Sequence, residues 1–208
     1  MYTKYVKRTL DILLSLCGIV ALIFPMGLIA LAIKIDSKGP VLFKQKRIGI
    51  HKSNFYIFKF RTMYADTPKD VPTAELTDSG KWITRTGKIL RKTSLDELPQ
   101  LFNILRGEMS IIGPRPALWN QFDLIKERDK YGVNDVRPGL TGWAQINGRD
   151  EIDIEEKSRL DGEYVQKISF IFDCKCFLKT IKSVLKSDGF VEGSCEEFNQ
   201  NIEKSQKG

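Results

Sequence analysis

A single uncharged stretch near the amino terminus constrains this chain more than any other feature. Between Asp11 and Lys34 lie twenty-two residues without a formal charge, and a helix that rises about 1.5 Å per residue would cross a hydrocarbon layer of about 30 Å over that length. The stretch is too long for the apolar part of a cleaved signal peptide, and no small-x-small cleavage motif follows Ile35. Helices buried in soluble proteins rarely stay apolar on every face over this length. The stretch therefore predicts a membrane helix.

The charges around this stretch bear on how the helix sits in the membrane. Residues 1–61 carry eleven Lys and Arg against two acids, whereas residues 62–208 carry twenty-two against twenty-four. Basic residues favour the cytoplasmic side, and here they flank both ends of the stretch. Pro25, near the midpoint, removes one helical hydrogen bond, so we expect a break or kink there. Two arrangements remain open: a helix-break-helix that returns to the same face, and a kinked helix that crosses the bilayer.

The residues after the membrane stretch predict a β-hairpin. Val41–Gln45 and Phe55–Met63 are rich in β-formers and flank a polar, glycine-containing loop. Alternation along the second strand places Lys59 and Arg61 on a face with apolar neighbours. The two cations are either surface charges whose stems cover apolar surface or a partly desolvated phosphate-binding pair.

The cysteines and the single histidine exclude several kinds of site. Cys17, Cys174, Cys176 and Cys195 show no CxxC spacing, and His51 lies far from them in sequence, so neither a zinc site nor a disulfide framework is supported. One histidine also removes most Ser-His-Asp and Cys-His mechanisms, unless His51 is the base. We therefore expect catalysis by carboxylates, basic residues or a metal held by oxygen ligands.

Asp96 and Glu97 begin a segment with helical spacing that continues to Leu105. Ser94 and Glu97 match the S-x-x-E capping box, whereas Asp96 as the cap would move Pro99 to the third helical position, where its missing N–H is no loss. Both registers remain open. In either one the positive end of the helix dipole favours the ionised carboxylates. Taken alone, the two acids could be simple capping residues.

Arginines on stiff turns surround these acids in sequence. In the segment Gly113–Pro116, prolines fix the backbone on both sides of Arg115, and Arg137 and Arg149 lie in similar turns, with Arg91 upstream of the acids. Guanidiniums presented in this way suit a dianionic or pyrophosphate ligand. The sequence has neither a P-loop nor a GxGxxG motif, so nucleotide binding would use side chains.

Several long motifs together carry a resemblance to a known family. They are KRTLDILLS, KFRTM, SLDELPQLFNILRGEMSIIGPRP and VRPGLTGWAQINGR. With these motifs in order over residues 1 to about 192, the chain resembles the bacterial sugar transferase family of monotopic phosphoglycosyl transferases, whose small members are the PglC-type enzymes.

The resemblance implies a re-entrant helix-break-helix with both ends cytoplasmic, and so a monotopic protein on the cytoplasmic face of the bacterial inner membrane. Members usually carry Ser-Pro at the break, where this chain has Phe24 and Pro25. We expect an α+β fold: a small cytosolic domain rich in helices with a short β-hairpin. The expected boundaries are a membrane anchor over residues 1–38, the catalytic domain over residues 39–192 and a polar tail over residues 193–208.

The resemblance also implies an activity, the transfer of a sugar 1-phosphate from a UDP-sugar to polyprenol (undecaprenyl) phosphate, with release of UMP and a requirement for Mg²⁺. Asp96 would form a phosphosugar-aspartyl intermediate in a ping-pong mechanism, and Glu97 would serve as metal ligand or as general base, with both carboxylates near Mg²⁺. The sugar is expected to be an N-acetylated amino sugar. The residues expected to bind substrate are Lys59, Arg61, Arg91, Arg115, Arg137, Arg149, Asp161 and Tyr164.

The carboxyl-terminal part is expected to complete the substrate site and the anchor. Asp161 and Tyr164 lie in an acidic segment of helical pattern and could meet the uridine or the sugar. From Phe170 onward, apolar residues recur at helical spacing with lysines elsewhere around the helix. That pattern predicts an amphipathic helix that either lies at the membrane interface or packs on the core.

The partners expected from this interpretation are membrane lipids, the downstream glycosyltransferases and a possible second copy in a homodimer. Nucleic acid is not expected, because the basic excess sits beside the membrane stretch. Two other function classes stay open: a membrane-tethered basic binding module, whose binding would be sensitive to salt, and a membrane phosphatase that acts on lipid pyrophosphates.

Overall fold

The computed structural model of this chain describes residues 2–68, 79–148 and 152–186. The described part is a mixed fold that is mostly helical, as the sequence predicts. One π-helical turn, Tyr2–Val6, leads into the first helix, α1, which spans Lys7–Asp36. Among the described residues, α1 is the one helix that is long and apolar enough to cross a membrane.

Pro25 lies inside α1 and does not divide it into two helices. The re-entrant path stays a prediction, and the predicted break is not seen in the backbone, which is one helix of 30 residues. The physical reason is that proline removes a single N–H, and the remaining bonds of a long helix can tolerate that loss in an apolar setting.

One face of α1 lies against the rest of the protein along its whole length. The helix packs on α3 (Arg85–Lys92), α4 (Gln100–Arg106) and β3 (Ser110–Ile112). The inward side chains, which recur at helical spacing, are Asp11, Ser15, Ile19, Leu22, Met26, Ile29, Ala30 and Ile33. The opposite face is exposed and apolar, and its side chains are Leu13, Leu14, Leu16, Val20, Ile23, Phe24, Leu28, Leu31 and Ile35. One side of α1 therefore packs on the domain, and the other side exposes apolar side chains.

Polar contacts fasten both ends of α1 to the same domain. At the beginning, Arg8 donates to the carbonyl oxygens of Ile104 and Leu105 at 2.7 and 3.1 Å, and the Asp11 carboxylate accepts the backbone N–H of Ile111 at 3.0 Å. At the end, the Asp36 carboxylate accepts the N–H of Thr86 at 2.9 Å. These bonds satisfy buried backbone groups at sites that hydrophobic packing alone would leave unpaired.

The predicted β-hairpin is confirmed. Strand β1, Leu42–Ile48, pairs antiparallel with β2, Asn54–Phe60, in a register that places Phe43 opposite Lys59. The connecting loop contains His51 and Lys52 with positive φ. Two further short strands, β3 (Ser110–Ile112) and β4 (Gly139–Thr141), form a parallel pair.

The remaining helices are short until the carboxyl-terminal third of the chain. Their bounds are Ser79–Trp82 for α2, Arg85–Lys92 for α3, Gln100–Arg106 for α4, Phe122–Asp129 for α5, Trp143–Asn147 for α6, Ile154–Lys167 for α7 and Phe170–Lys186 for α8. The helical patterns predicted before Lys167 and from Phe170 onward are thus confirmed. The predicted tail over residues 193–208 lies outside the described residues, and the predicted domain boundaries stay predictions.

In the part of the chain that the structure describes, three apolar clusters form the core, and α1 contributes to two of them. The first includes Met26, Ile33, Phe60 and Leu90; in the second, Ile19 and Leu22 of α1 pack against a group that includes Phe55, Ile57, Leu101 and Ile104. The third joins α6, α7 and α8 through residues such as Trp143, Leu160, Tyr164 and Cys176. Burial of side chains of this size contributes about 1.5–3 kcal/mol each.

Candidate active site

The two adjacent acids lie on a tight turn between α3 and α4. Leu95–Glu97 form a single 3₁₀ turn, and α4 starts at Gln100, directly after Pro99. Neither predicted capping register occurs. Ser94 adopts a left-handed conformation with φ 57° and makes no capping bond from its side chain. The turn presents Asp96 and Glu97 side by side, ahead of the α-helix.

Glu97 is held by two cations. Lys59 Nζ donates to Glu97 Oε1 at 2.6 Å, and Arg115 Nη1 donates to the same oxygen at 3.3 Å. The side chains of Lys59 and Glu97 are 16% and 18% exposed, so water screens this pair weakly, whereas that of Arg115 is 39% exposed. The structure therefore brings together three of the predicted site residues, from β2, from the turn and from the Gly113–Pro116 segment.

The two carboxyl groups differ in their proton affinity. Burial raises the pKa of Asp96, and the neighbouring Glu97 charge adds to this effect, although Lys59, Arg91 and Arg115 oppose it. Burial would also raise the pKa of Glu97, but the Lys59 ammonium and the Arg115 guanidinium overcome it and lower that pKa to about 2. The helix dipole was expected to favour ionisation of both acids. For Asp96 the direction is the opposite, because removal from water outweighs the favourable charges.

Arg91 is oriented toward the acids by the residues just after β2. Its Nε donates to Thr62 Oγ1 at 2.9 Å, and its charge is close enough to lower the pKa of Asp96. The Thr62 carbonyl accepts the N–H of Thr84 at 3.0 Å, and Gly87 of α3 lies so close that an added Cβ would sit 2.0 Å from that carbonyl oxygen. Close packing between α3 and Thr62 thus fixes the backbone position from which the Arg91 side chain extends.

Asn103 docks β2 on α4 and so places Lys59 beside Glu97. Its side-chain oxygen accepts the N–H of Phe58 at 3.0 Å, and its amide nitrogen donates to the Tyr56 carbonyl at 2.8 Å. The side chain is fully buried. Asn103 was not among the predicted site residues, although one signal was present: it is a single polar residue between the apolar residues of α4.

Two of the predicted phosphate-binding arginines contact backbone carbonyl oxygens. Arg61 is 5% exposed and donates through Nη2 to the Ser37 carbonyl at 2.8 Å and through Nη1 to the Lys38 carbonyl. Arg137 donates through Nε to the Gly107 carbonyl at 3.0 Å. Both guanidiniums satisfy carbonyls at the carboxyl end of a helix, where the dipole favours positive charge.

The predicted contacts of Asp161 and Tyr164 with uridine or sugar do not match their placement, since each side chain is 1% exposed. Asp161 Oδ2 accepts two bonds from Arg128, at 2.5 and 3.1 Å. The Tyr164 hydroxyl contacts the Ile112 carbonyl at 3.0 Å and Asp173 Oδ1 at 2.8 Å. Both residues therefore join α7 to the core. Their polar groups are bonded to residues that are distant in sequence, and no local sequence pattern encodes such partners.

Arg149, also predicted to bind substrate, lies outside the described residues. Within the described ranges no three His, Cys, Asp or Glu side chains cluster as a metal cage. The donor set at the acids still fits a hard cation. Glu97 Oε1 is occupied by two cations, which leaves Oε2 and the Asp96 carboxylate as oxygen ligands, and Mg²⁺ in proteins commonly uses one or two carboxylates together with substrate phosphate.

The family comparison covers nearly the whole chain. A family model described as bacterial sugar transferase matches residues 2–187. That range includes α1, the two acids, the Gly113–Pro116 segment and α8.

Individual relatives are similar over most of this chain. An uncharacterized sugar transferase, EpsL, of Bacillus subtilis is 43% identical over 88% of this chain and 89% of its own length. An undecaprenyl-phosphate glucose phosphotransferase of Komagataeibacter xylinus is 44% identical over 85% of this chain, but over 35% of its own length. A UDP-N-acetylgalactosamine-undecaprenyl-phosphate N-acetylgalactosaminephosphotransferase of Aeromonas hydrophila is 39% identical over 89% of this chain and 45% of its own. The chain thus spans less than half the length of the last two.

Proposed function

The chain belongs to the bacterial sugar transferase family, and on that premise we propose that it transfers a sugar 1-phosphate from a UDP-sugar to polyprenol phosphate and releases UMP. One observation carries the proposal: two adjacent carboxylates of unlike proton affinity lie among three cations, Lys59, Arg91 and Arg115. Phosphoryl transfer between anions requires a nucleophile whose approach is not repelled, and fixed cations around a carboxylate meet that need.

The proposed chemistry has two displacements at the same phosphorus atom. First, an Asp96 carboxylate oxygen attacks the phosphorus that bears the sugar; the bond from that phosphorus to the bridging oxygen breaks, and UMP leaves with the electron pair. Then a phosphate oxygen of polyprenol phosphate attacks the same phosphorus, the bond to Asp96 breaks, and the carboxylate is regenerated. No net proton is gained or lost by Asp96, and the product is a polyprenyl diphosphate sugar.

The contacts of Glu97 favour one of its two predicted roles. A carboxylate whose pKa is about 2 is a weak base, since it binds protons only in strong acid. The same ionised group is a good metal ligand, and Oε2 is the oxygen that neither Lys59 nor Arg115 contacts. We therefore propose that Glu97 and Asp96 hold Mg²⁺ together with substrate phosphate. When bound, the cation would supply charge neutralisation for the phosphates.

The surrounding cations act on both acids in this proposal. Lys59 and Arg115 keep Glu97 ionised and in place. Lys59, Arg91 and Arg115 favour the ionised form of Asp96, which is the form that attacks. The Arg115 side chain is 39% exposed, against 16% for Lys59, so we place Arg115 at the diphosphate of the donor.

We propose a monotopic arrangement on the cytoplasmic face of the bacterial inner membrane. Support comes from α1, whose two ends contact the same domain through Arg8 and Asp36 and whose middle packs on cores that include Phe60 and Leu101. If α1 crossed the bilayer as a straight helix, those contacts with the domain would lie inside the bilayer. The exposed apolar side of α8, which includes Ile171 and Leu178, would lie among the lipids as well.

The sugar and the pathway belong to the same proposal. The relatives' names include a glucose and an N-acetylgalactosamine enzyme, so an N-acetylated amino sugar, as the sequence analysis predicts, is one candidate and a hexose is another. The lipid-linked product is the substrate that downstream glycosyltransferases would extend in glycoconjugate or polysaccharide synthesis. A homodimer stays a prediction.

The test is a screen for UMP release. Detergent-solubilised protein is incubated with Mg²⁺, polyprenol phosphate and a panel of UDP-sugars that includes UDP-glucose and UDP-N-acetylhexosamines. We expect UMP and labelled lipid from at least one donor, and loss of both in the presence of a chelator. In a parallel reaction with polyprenyl diphosphate and no UDP-sugar, release of inorganic phosphate would favour a lipid pyrophosphate phosphatase. Salt-sensitive lipid binding without turnover would favour a binding module.

A further inference from the structure

The Gly113–Pro116 segment is held by three carbonyl bonds from three different parts of the chain. The carbonyl oxygen of Pro114 accepts the N–H of Gly139 at 2.8 Å. That of Pro116 accepts from Arg47 Nη1 at 2.9 Å. Between them, the carbonyl oxygen of Arg115 accepts from Arg128 Nη1, also at 2.9 Å.

The middle bond differs from its neighbours because its donor is itself fixed by a buried charge. Arg128 and Asp161 have side chains that are 4% and 1% exposed, and they pair through Nη2 and Nε at 2.5 and 3.1 Å. These two bonds, both to Asp161 Oδ2, leave the third guanidinium nitrogen aimed at Arg115. A buried charge that lost its partner would be strongly unfavourable, so the guanidinium has little freedom to turn away.

We propose that Arg128, anchored by Asp161, is a positioning residue that fixes the backbone of Arg115 and thereby directs its guanidinium to Glu97 and the donor diphosphate. The relay runs from α7, through α5, to the segment that carries Arg115, and so to Glu97 Oε1 at 3.3 Å. The catalytic part of this inference rests on the proposed function. Neither Arg128 nor Asp161 touches substrate in this account.

The sequence around Arg128 does not indicate that this side chain is buried. Arg128 lies in the charged stretch KERDK, which resembles the solvated face of a surface helix. Its burial arises because α5 packs against α7, where Gly162 approaches Tyr131 so closely that an added Cβ would sit 2.7 Å from the tyrosine Cβ. That close contact brings Asp161 within reach of Arg128.

The test removes both charges together, because either single variant would strand a buried charge and could fail to fold. Arg128→Met/Asp161→Leu is compared with Arg115→Ala, and the two are then combined. The matched control is Arg159→Met/Glu156→Leu, which removes an exposed ion pair from the same helix α7. Each protein is assayed for kcat and KM with UDP-sugar, and its melting temperature is recorded.

We expect the Arg128/Asp161 variant to lose at least about tenfold in kcat/KM, because misplacing one charge-stabilising group has an effect of this order or larger. The combined variant should be no worse than Arg115→Ala alone, since the relay acts through Arg115. The surface control should stay within twofold of wild type. Effects that multiply in the combined variant, or a folded Arg128/Asp161 variant with wild-type kcat/KM, would overturn the inference.

Hydrogen exchange separates this inference from the proposed function. Exchange at the Arg115 and Ala117 amides should become faster in the Arg128/Asp161 variant and stay unchanged in the surface control. That readout needs no turnover, so it decides the positioning role even if wild type releases no UMP. Absence of UMP in wild type would defeat the proposed function, whereas unchanged exchange in the variant would defeat the relay.

Discussion

Lys59 and Glu97 form an ion pair with Nζ 2.6 Å from Oε1, and this pair joins strand β2 to the turn that carries Asp96. The contact depends on tertiary docking: Asn103 of α4 bonds to the backbone on both sides of residue 57, which fixes where Lys59 emerges. The charge of the neighbouring Asp96 is in turn sensitive to Lys59. A hairpin residue thus sets the electrostatics of both acids.

The pH dependence of the reaction should follow Asp96. The attacking form of Asp96 is the carboxylate, and burial raises its pKa. As the pH is lowered, kcat/KM should therefore fall at a pH above about 4, the ordinary pKa of an aspartate. Lys59 opposes that rise. Lys59→Met should therefore move the acid limb to higher pH and lower kcat/KM by about 100-fold. A pH–rate profile for each protein measures both effects.

The control for that profile is Lys52→Met. Lys52 carries the same charge but pairs at the surface with Asp129, at 2.7 Å. Its profile should match wild type. If Lys59→Met moved the acid limb to lower pH or left it in place, the assignment of that limb to Asp96 would be wrong.

Asp11 should stabilise the junction between α1 and the domain. Its buried carboxylate accepts the N–H of Ile111, and Asp11→Ala would leave that donor unpaired at a cost of about 1–3 kcal/mol. Thermal unfolding in detergent should show a melting temperature lower by several degrees. Thr9→Ala is the comparison, since Thr9 on the same helix makes an exposed bond to the Tyr5 carbonyl; an equal loss from both variants would argue against a special role for Asp11.

The monotopic proposal predicts that both ends of α1 face the same compartment. Thr3→Cys and Lys38→Cys, each in a background without the four native cysteines, introduce thiols at exposed positions on either side of the helix. A membrane-impermeant maleimide should label both in inside-out vesicles and neither in intact spheroplasts. Labelling of one position in each preparation would instead indicate a helix that crosses the bilayer.

The exposed apolar side of α8 should contact lipid. Native Cys174 lies on this side of the helix and is exposed, between Ile171 and Leu178, which are 81% and 66% exposed. A fluorophore on Cys174, with the other cysteines removed, should be quenched by vesicles made with brominated lipid and not by the unbrominated equivalent. Equal fluorescence in the two kinds of vesicle would mean that this side faces water.

Local sequence patterns predicted the elements of this fold better than the partners of their side chains. Periodicity and turn residues located α1, the hairpin, α7 and α8, because those signals are carried by neighbouring residues. Arg61 and Tyr164 were placed in the substrate site for their chemical type, yet each satisfies a buried backbone carbonyl. Such a partner lies far away in sequence, so no local pattern reports it.

Asp96 and Glu97 likewise have some features that the sequence predicts and others that it does not. Their adjacency and the stiff presentation of Arg115 were visible in sequence, and the structure brings Glu97 and Arg115 together. The left-handed Ser94 and the 3₁₀ turn that replaces both capping registers were not. The uninterrupted path of α1 past Pro25 also depends on the surrounding apolar contacts, since Met26 is buried against Phe60 and Leu90.

The most direct test is a search for the covalent adduct on Asp96. Protein is incubated with Mg²⁺ and an accepted UDP-sugar in the absence of polyprenol phosphate, then measured by intact mass and peptide mapping. We predict added mass equal to one sugar phosphate, located on Asp96, and its disappearance when polyprenol phosphate is added. Asp96→Asn should carry no adduct and lose transfer by at least about 1,000-fold, whereas Asp123→Asn should behave as wild type. Turnover with no adduct, or an adduct that persists in Asp96→Asn, would contradict the account.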